Sequence, residues 1–338
     1  MKYIVCNQPG EFLMGEKEPP KRSEGHALIR ITRIGICGTD LHAYAGNQAY
    51  FSYPRILGHE LAAEILELGI DYQGELSVGQ QVAVIPYVHC GKCIACRRGK
   101  TNCCANMQVL GVHADGGMQE IISVPTELLM PTEDLSAEEV ALIEPLAIGA
   151  HAIRRAELEA GETILVMGCG PIGIGIMKLA QLQGAEVIAL DINPERLAFV
   201  QEQLGVNHAV NAAENPVEAV KEITNGDFAT AVFDATGNGR ALMAGPDYMS
   251  HGGRFVLVGL SKGELTYSHP AIHAKESTIM CSRNATREDF QLVIDTLRGG
   301  QFPSDAYITH KVSFDQMINH FEDWLKPENK VIKAMVSL

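Results

Sequence analysis

Long apolar runs are absent from this sequence. Its first ten residues hold no apolar stretch of the kind that a secretory signal peptide needs, and its longest apolar region is interrupted by Glu144. A membrane-spanning helix requires about 20 predominantly apolar residues. We therefore expect a cytoplasmic protein that does not enter a membrane.

Positive charge is scarce. The 338 residues include 27 Lys and Arg against 41 Asp and Glu, which leaves a formal net charge of −14. An acidic surface repels the phosphates of nucleic acids and of anionic lipid headgroups. The composition therefore argues against nucleic acid or a membrane as a partner.

Disorder-promoting tracts are lacking as well. Hydrophobic residues make up 46% and charged residues 20% of the chain, and the 33 Gly and 15 Pro are dispersed. The chain should therefore fold throughout. Its length exceeds what one hydrophobic core usually serves, so we expect two domains with a cleft between them.

Two kinds of pattern divide the chain. Up to about residue 130, short β segments are punctuated by Gly and Pro, which predicts a β-rich or barrel-like unit. These segments are residues 3–6, 26–34, 61–68 and 81–87. Ser136 and Glu139 then form a capping-box pattern that begins a helical region.

From Glu162 onward, predicted strands and helices alternate, which is typical of a doubly wound parallel sheet. The strands are residues 163–167, 186–190, 230–234 and 254–258, and the helices are residues 171–183 and 194–204. After Cys281 we predict helices over 287–298 and 314–325 and β segments over 307–310 and 330–336. We expect this C-terminal tail to return to the first domain.

A glycine-rich loop follows the first strand of the alternating region and opens an apolar helix. Its G-x-G-x-x-G spacing lets the backbone approach a pyrophosphate at the helix N-terminus. The motif alone is weak, and a purely structural turn is the alternative. The predicted cofactor contacts in this loop are Gly168, Gly170, Pro171, Ile172 and Gly173.

Asp191 ends the next predicted strand. A carboxylate at this place would bond both ribose hydroxyls and repel a 2′-phosphate, so NAD is expected rather than NADP. Its alternative role is to cap the helix that begins near Pro194. Arg196 could lie against the adenine, or could equally be a solvated helix residue.

The cysteines are concentrated in one loop. Five of the nine lie between residues 90 and 104, and an odd total without a secretion signal argues against a disulfide framework. A closed structural zinc site needs four soft ligands on a short chain segment. The predicted ligands are Cys90, Cys93, Cys96 and either Cys104 or its neighbour Cys103.

A second candidate metal set is dispersed along the chain. Cys37, His59 and a carboxylate offer a soft, a borderline and a hard ligand, and three protein ligands with an open position define a catalytic zinc. The carboxylate candidates are Glu60 and Glu144. Spacing alone does not show that these residues meet, and singly they are typical of a core thiol and a loop histidine.

These segments together resemble the zinc-containing medium-chain alcohol dehydrogenases, over essentially the whole chain and in the same order. Gly58-His59-Glu60 and Glu144 are similar to the sorbitol and threonine dehydrogenase branch. The resemblance implies an α/β protein with a GroES-like β-rich catalytic domain, residues 1–147 and 287–338, and a Rossmann domain, residues 148–286. It also implies a homo-oligomer that binds NAD and two zinc ions per chain.

The resemblance also implies which residues hold the metals. Cys37, His59 and Glu60 would bind the catalytic zinc. Glu144 would either join that shell or bond a water on the zinc. In the cysteine-rich loop, the family pattern favours Cys104 as the fourth ligand.

Further roles follow from the same resemblance. A bound zinc would polarise the substrate hydroxyl, and a hydride would pass to the nicotinamide ring. Thr39 and His42 would carry the released proton outward through the cofactor ribose. Judged by itself, His42 would be taken for a histidine on a helix surface.

Four short segments look like those of bacterial hexonate 5-dehydrogenases, which oxidise L-galactonate or L-gulonate, and of an enteric starvation-sensing dehydrogenase-like protein. They are residues 46–48, 51–55, 111–117 and 282–285. A sugar acid carries a carboxylate, which a bidentate guanidinium holds best. Arg283 is the first candidate and Arg55 the second, and each could instead form a structural ion pair.

We therefore expect a zinc-dependent oxidoreductase that transfers a hydride between NAD and the 5-position alcohol of an L-gulonate or L-galactonate type sugar acid. A polyol or L-threonine dehydrogenase with the same zinc is the nearest alternative. A dinucleotide-binding sensor without turnover is a rival of another class. A redox or interaction switch at the cysteine-rich loop, with Cys103 as a spare thiol, is a third hypothesis.

Overall fold

The structure is a computed structural model that describes residues 1–48 and 51–338. The chain forms two compact units. The first unit comprises Met1–Pro145 and Thr286–Leu338, and the second unit comprises Leu146–Ala285. The C-terminal tail therefore belongs to the same unit as the N-terminal part.

The strands and helices of the described residues are as follows. The strands are β1 Lys2–Gln8, β2 Glu11–Glu16, β3 His26–Ile36, β4 Glu60–Glu67, β5 Gln81–Val84, β6 Tyr87–Val88, β7 Gln108–Val109, β8 Ile121–Pro125, β9 Leu129–Pro131, β10 Thr163–Met167, β11 Glu186–Asp191, β12 His208–Asn211, β13 Ala229–Asp234, β14 Met249–Leu257, β15 Thr278–Cys281, β16 Ile308–Ser313 and β17 Lys333–Ser337. The α-helices are α1 Gly38–Tyr44, α2 Ile94–Arg97, α3 Ala137–Ala156, α4 Pro171–Leu182, α5 Pro194–Leu204, α6 Pro216–Ile223, α7 Gly239–Ala244, α8 His269–Ala274, α9 Arg287–Arg298, α10 Ser304–Tyr307 and α11 Met317–Phe321.

The first unit is built on a seven-stranded sheet. Its strand order is β16-β17-β3-β4-β5-β9, with β8 pairing to another part of β3. The long strand β3 has register shifts between Leu28 and Ile29 and between Ile31 and Arg33. Such bulges bend a strand and increase its twist, so one strand can pair with several neighbours. Ile29, Ile31 and Ile34 of β3 are buried in the core of this unit.

The tail completes this sheet. Strand β17 runs antiparallel to β3, and Ala334 is opposite Ile36 in the register. Strand β16 then pairs in parallel with β17 at the edge. This register brings the start of β17 beside the end of β3, where the first candidate metal ligand follows.

The second unit contains a six-stranded parallel sheet in the order β12-β11-β10-β13-β14-β15. The central strand β10 is almost wholly buried, as is typical of parallel strands covered on both faces. The strand order reverses between β10 and β13, and ligands of such sheets bind at the carboxyl ends of the strands at this switch point. The predicted doubly wound parallel sheet is therefore confirmed.

Several predicted elements coincide with the structure, and others differ. Helices α5 and α9 have the predicted bounds. The segment predicted as one strand over 81–87 ends at Val84 and resumes at Tyr87, because Pro86 has no N–H to donate to a ladder. The helix predicted over 314–325 is broken: α11 is flanked by the 3-10 turns Phe314–Gln316 and Asp323–Leu325.

The capping box predicted before α3 is present. The Ser136 N–H donates to Glu139 Oε2 at 2.9 Å, and the Glu139 N–H donates to Ser136 Oγ at 3.3 Å. Pro145 lies inside this helix. Among the helices of the described residues, none has the length and apolar character to cross a bilayer.

Candidate active site and metal centres

Three of the dispersed metal-ligand candidates meet in the first unit. One ligand atom from each of Cys37, His59 and Glu60 lies within 4.8 Å of the others. Cys37 is the N-cap of α1, directly after β3, and Glu60 begins β4. The antiparallel register places Gly35 opposite Glu60, which brings the two ends together. A pairing of strands, rather than proximity in sequence, forms this site.

Asp40 ties the two ligand-bearing segments together. Its carboxylate accepts a hydrogen bond from Cys37 N–H at 3.0 Å and another from Gly58 N–H at 3.2 Å. The side chain is fully buried, and burial raises the pKa of Asp40 while His59 and the two N–H donors oppose that shift. Sequence analysis missed this residue, although an acid three positions after an N-cap is a signal for a capping box.

Glu144 is buried beside this cluster and is held by a tyrosine. The Tyr87 hydroxyl donates to Glu144 Oε1. Burial raises the pKa of Glu144, as does the negative charge of Glu60, whereas His59 lowers it. Glu144 is not one of the three residues whose ligand atoms lie within 4.8 Å of one another. Tyr87 was not predicted, since nothing in its local sequence distinguishes it from a core aromatic residue.

Glu60 is held by a buried lysine. The Lys333 ammonium donates to Glu60 Oε1 at 2.6 Å, to Glu60 Oε2 at 2.7 Å and to the Ile36 carbonyl at 3.1 Å. Burial lowers the pKa of Lys333, but Glu60 and other nearby groups raise it overall, so the lysine is charged. Gly35 makes room for this pair, because a Cβ at that position would collide with Glu60 Oε2. Lys333 was also missed by sequence analysis.

The donor set of this cluster fits a zinc ion. His59 Nδ1 is buried and has no hydrogen-bond partner among the described residues. Burial lowers the pKa of His59, but Cys37 and Asp40 raise it well above its ordinary value, so the surroundings favour a positive charge. A thiolate, an imidazole and a carboxylate match the ligands that zinc prefers. These three residues would therefore hold a zinc ion with an open coordination position.

The two predicted relay residues lie on the short helix that follows Cys37. Thr39 is half-buried in the first turn of α1, and His42 is exposed in its last turn. Both positions are set by the same N-cap and capping box that place Cys37. Their role in proton transfer stays a prediction.

The cysteine-rich loop gathers four of its five thiols. The sulfur atoms of Cys90, Cys93, Cys96 and Cys104 all lie within 4.8 Å of one another. Cys103 is exposed and is not a member of this group. The arrangement therefore favours Cys104 over Cys103 as the fourth ligand of a tetrahedral ion.

Backbone amides favour thiolates in this loop. Hydrogen bonds from the amides of Lys92 and Cys93 lower the pKa of Cys90 to about 6. The Ala105 N–H donates to Cys93 Sγ at 3.5 Å, and the pKa of Cys93 is lowered too. Burial raises the pKa of Cys96 to about 12, as do its thiol neighbours. Zinc binds the thiolate form, so the lowered pKa values of Cys90 and Cys93 favour a structural zinc here, whereas Cys96 would release its proton when the ion binds.

The glycine-rich loop of the second unit has the predicted form. It leaves β10 at Gly168, which has φ 96°, and Gly170 is the N-cap of α4 with Pro171 in the first turn. Gly173 lies against the backbone of Gly168, where there is no space for a Cβ atom. The first backbone amides of a helix have no partner within the helix, so the N-terminus of α4 is suited to cradle a phosphate group.

Asp191 braces this loop instead of capping a helix. Its carboxylate accepts from Cys169 N–H at 2.6 Å and from Asn193 N–H at 2.8 Å. The N-cap of α5 is Asn193, so the alternative in which Asp191 caps that helix is wrong. Arg196 Nη1 donates to the Cys169 carbonyl at 3.3 Å. Both predicted cofactor residues therefore contact the glycine-rich loop.

The two arginines predicted to bind a substrate carboxylate lie in different units. Arg55, in the first unit, pairs with Asp115 at 3.3 Å and donates to Ser52 Oγ at 3.2 Å. Its Nε atom is buried and has no hydrogen-bond partner within the described residues. Arg283, in the second unit, is exposed after β15. Their substrate role stays a prediction.

Two family models match the chain. An alcohol dehydrogenase GroES-like domain matches residues 23–134, and a zinc-binding dehydrogenase domain matches residues 171–299. The chain belongs to the zinc-type alcohol dehydrogenase family and is a dehydrogenase that acts on small-molecule alcohols. The predicted α/β fold, with a GroES-like unit and a Rossmann unit, is confirmed.

Individual relatives match over the full length. L-galactonate-5-dehydrogenase of Escherichia coli (strain K12) is 43% identical over 337 residues, which cover 100% of this chain and 99% of that protein. Sorbitol dehydrogenase of Bacillus subtilis (strain 168) is 33% identical and covers 99% of this chain and 97% of that protein. An NADH complex from Escherichia coli CFT073, described as a short chain alcohol dehydrogenase (rspB), superimposes with a TM-score of 0.92. It is 31% identical and covers 100% of this chain and 99% of that one.

Proposed function

We propose that the chain oxidises the 5-position secondary alcohol of an L-galactonate or L-gulonate type sugar acid, with NAD as the hydride acceptor. The observation that carries the proposal is the meeting of Cys37, His59 and Glu60 in a buried site. The full-length likeness to L-galactonate-5-dehydrogenase supports the substrate class.

The roles of the residues follow from their positions. Cys37, His59 and Glu60 would hold the catalytic zinc, which supplies Lewis acidity that lowers the pKa of the substrate hydroxyl. Glu144, held by Tyr87, adds a second buried carboxylate beside this site. NAD held at the glycine-rich loop would supply the acceptor for the hydride, that is, for the hydrogen and both electrons of the carbinol C–H bond, and the hydroxyl proton would leave separately.

Two pairs of residues complete the proposal. The hydroxyl proton would leave through Thr39 and His42, which lie on the helix directly after Cys37. Arg283 and Arg55 are the candidates for holding the substrate carboxylate, since a guanidinium binds it with two hydrogen bonds. Arg283 is the first candidate of the two, because its side chain is exposed.

NAD is the proposed cofactor because of Asp191. Its carboxylate is fixed beside the glycine-rich loop by the amides of Cys169 and Asn193. A negative charge at this place disfavours the 2′-phosphate of NADP. We also propose two zinc ions per chain, one at Cys37 and one at the cysteine-rich loop.

Substrate screening tests the proposal. NADH formation would be followed with L-galactonate, L-gulonate, sorbitol and L-threonine, each with and without a zinc chelator. We expect turnover of a hexonate that chelation abolishes. Cys37→Ser should lose this activity, whereas Cys103→Ser, which alters an exposed thiol outside both clusters, should keep it.

The other outcomes of this screen identify the rivals. Turnover of sorbitol but not of hexonates would favour a polyol dehydrogenase, which the likeness to sorbitol dehydrogenase also supports. Binding of NADH without turnover of any alcohol would instead indicate a cofactor-binding sensor. Either result would refute the proposed substrate.

A further inference from the structure

Two histidines on helix α8 of the second unit form a pair that the proposed function does not use. His269 and His273 are four positions apart, so their side chains lie on the same face of the helix. Their ring centroids are 5.5 Å apart, and the ring planes are inclined by 51°. Both residues are exposed, and neither imidazole has a hydrogen-bond or ion-pair partner among the described residues. Packing of the fold therefore does not explain the pair.

The helix that carries the pair is held at both ends. Before it, Tyr267 packs against the core of the second unit, and its hydroxyl donates to the Leu242 carbonyl at 3.3 Å. After it, the C-cap residue Lys275 donates to the carbonyls of Pro246 at 2.9 Å and Met249 at 2.6 Å. Ligand-binding side chains are placed most accurately when they lie on such a fixed element. The two imidazoles are therefore held beside each other.

Two imidazoles at this spacing suit a transition-metal ion. Histidines at positions i and i+4 of a helix can bind one zinc ion from the same face. Imidazole nitrogen binds zinc, nickel and copper, whereas calcium and magnesium prefer oxygen ligands. Among the described residues, no third His, Cys, Asp or Glu joins the pair in a group of ligand atoms within 4.8 Å of one another. Water would complete the coordination shell, so the site would be open to solvent.

We propose that His269 and His273 form a third metal site, which binds a divalent zinc, nickel or copper ion through both imidazoles. Its ligands belong to the second unit, whereas both proposed zinc sites belong to the first unit. The inference goes beyond the proposed function, because no step of alcohol oxidation uses this ion. The formal net charge of −14 favours uptake of a further cation.

Nickel binding tests the inference on the zinc-loaded enzyme, without substrate or cofactor. Equilibrium dialysis against Ni²⁺ would be carried out at slightly alkaline pH, where an ordinary histidine is neutral. Atomic absorption would then count the nickel and zinc ions that remain bound. We expect one nickel ion per chain and an unchanged zinc content. His269→Ala or His273→Ala removes one of the two ligands, so either variant should bind nickel at least about tenfold more weakly.

Two controls separate this pair from exposed histidines in general. His251→Ala removes another exposed histidine of the second unit and should leave nickel binding unchanged. The double variant His273→Ala with Ala271→His keeps the number of histidines but places them two positions apart, where helix side chains do not face each other. It should bind nickel as weakly as His273→Ala. All substituted positions are exposed, so calorimetry should show the wild-type melting temperature for each variant.

The outcomes of the dialysis are distinct. Loss of the nickel ion in both single variants and in the double variant, with binding retained in His251→Ala, would support the inference. Equal nickel binding by the wild type and His273→Ala would overturn it. Uptake of nickel only in exchange for zinc would also overturn it, because the ion would then occupy a thiolate site. None of these results depends on a substrate, so the proposed function is tested separately by its own screen.

Discussion

Gly173 is the position where the structure makes the sharpest prediction about the cofactor loop. A Cβ atom added there would lie 1.8 Å from the Gly168 carbonyl oxygen, whereas real Cβ atoms keep at least about 3.0 Å from other heavy atoms. The obstacle is backbone, so no side-chain rotation relieves it. Helix α4 would have to move away from the end of β10, and the loop between them would lose its shape.

The size of the effect follows from two opposing terms. Alanine favours a helix over glycine by up to about 1 kcal/mol. Overpacking of a well-packed site costs about 1–3 kcal/mol, and a rigid backbone obstacle places this case at the upper end. The net destabilisation is about 2 kcal/mol, which lowers the melting temperature by about 4–8 °C.

Calorimetry and NADH titration check this prediction together, and Gly170→Ala is the matched control. At Gly170 the nearest heavy atom to an added Cβ is Nη1 of the flexible Arg196 side chain, at 3.3 Å, and φ is −82°. Gly170→Ala should therefore melt like the wild type while binding NADH more weakly. Gly173→Ala should lose both stability and binding. A Gly173→Ala protein with the wild-type melting temperature would refute the steric reasoning.

Three other predictions concern the cofactor charge and the thiols. Asp191→Asn should lower the preference for NAD over NADP, measured as the ratio of the two kcat/KM values, by about tenfold, because the substitution removes a negative charge that opposes the 2′-phosphate. An unchanged ratio would contradict this role. Cys104→Ser should remove one zinc ion per chain, measured by atomic absorption, and should lower the melting temperature, measured by calorimetry. Two zinc ions per chain in this variant would exclude Cys104 as a ligand. Burial raises the pKa of Cys169, so at mildly alkaline pH an alkylating reagent should label the exposed Cys103 and Cys281 before it labels Cys169. Peptide mapping would show the order of labelling. Early labelling of Cys169 would indicate that the glycine-rich loop opens.

The sequence predicted most reliably those features that are local in the chain. The cysteine-rich loop and the glycine-rich loop each lie within about fifteen residues, and their spacing already carries the geometry that the metal or the phosphate requires. The alternation of strands and helices after Glu162 likewise predicted the parallel sheet, because period and order are properties of the sequence itself. Helices α5 and α9 have the bounds that the sequence pattern predicted.

Short or interrupted elements were harder to predict. Strand β12 has four residues, and the 3-10 turns around α11 break what was predicted as one helix. Apolar periodicity needs a longer window than such segments supply. The packing of Phe314, Met317 and Phe321 into the core of the first unit decides their conformation.

Cys37, His59 and Glu60 were recognised as candidates from residue type and resemblance, but their meeting depends on the register of β3 and β4. The groups that hold the two carboxylates were not predicted at all. Lys333 reaches Glu60 from the far end of the chain, and Tyr87 reaches Glu144 across 57 positions. A sequence determines which ligands and motifs are available, whereas only the tertiary structure decides which buried charges face one another, because those pairings arise from strand register and packing between distant segments.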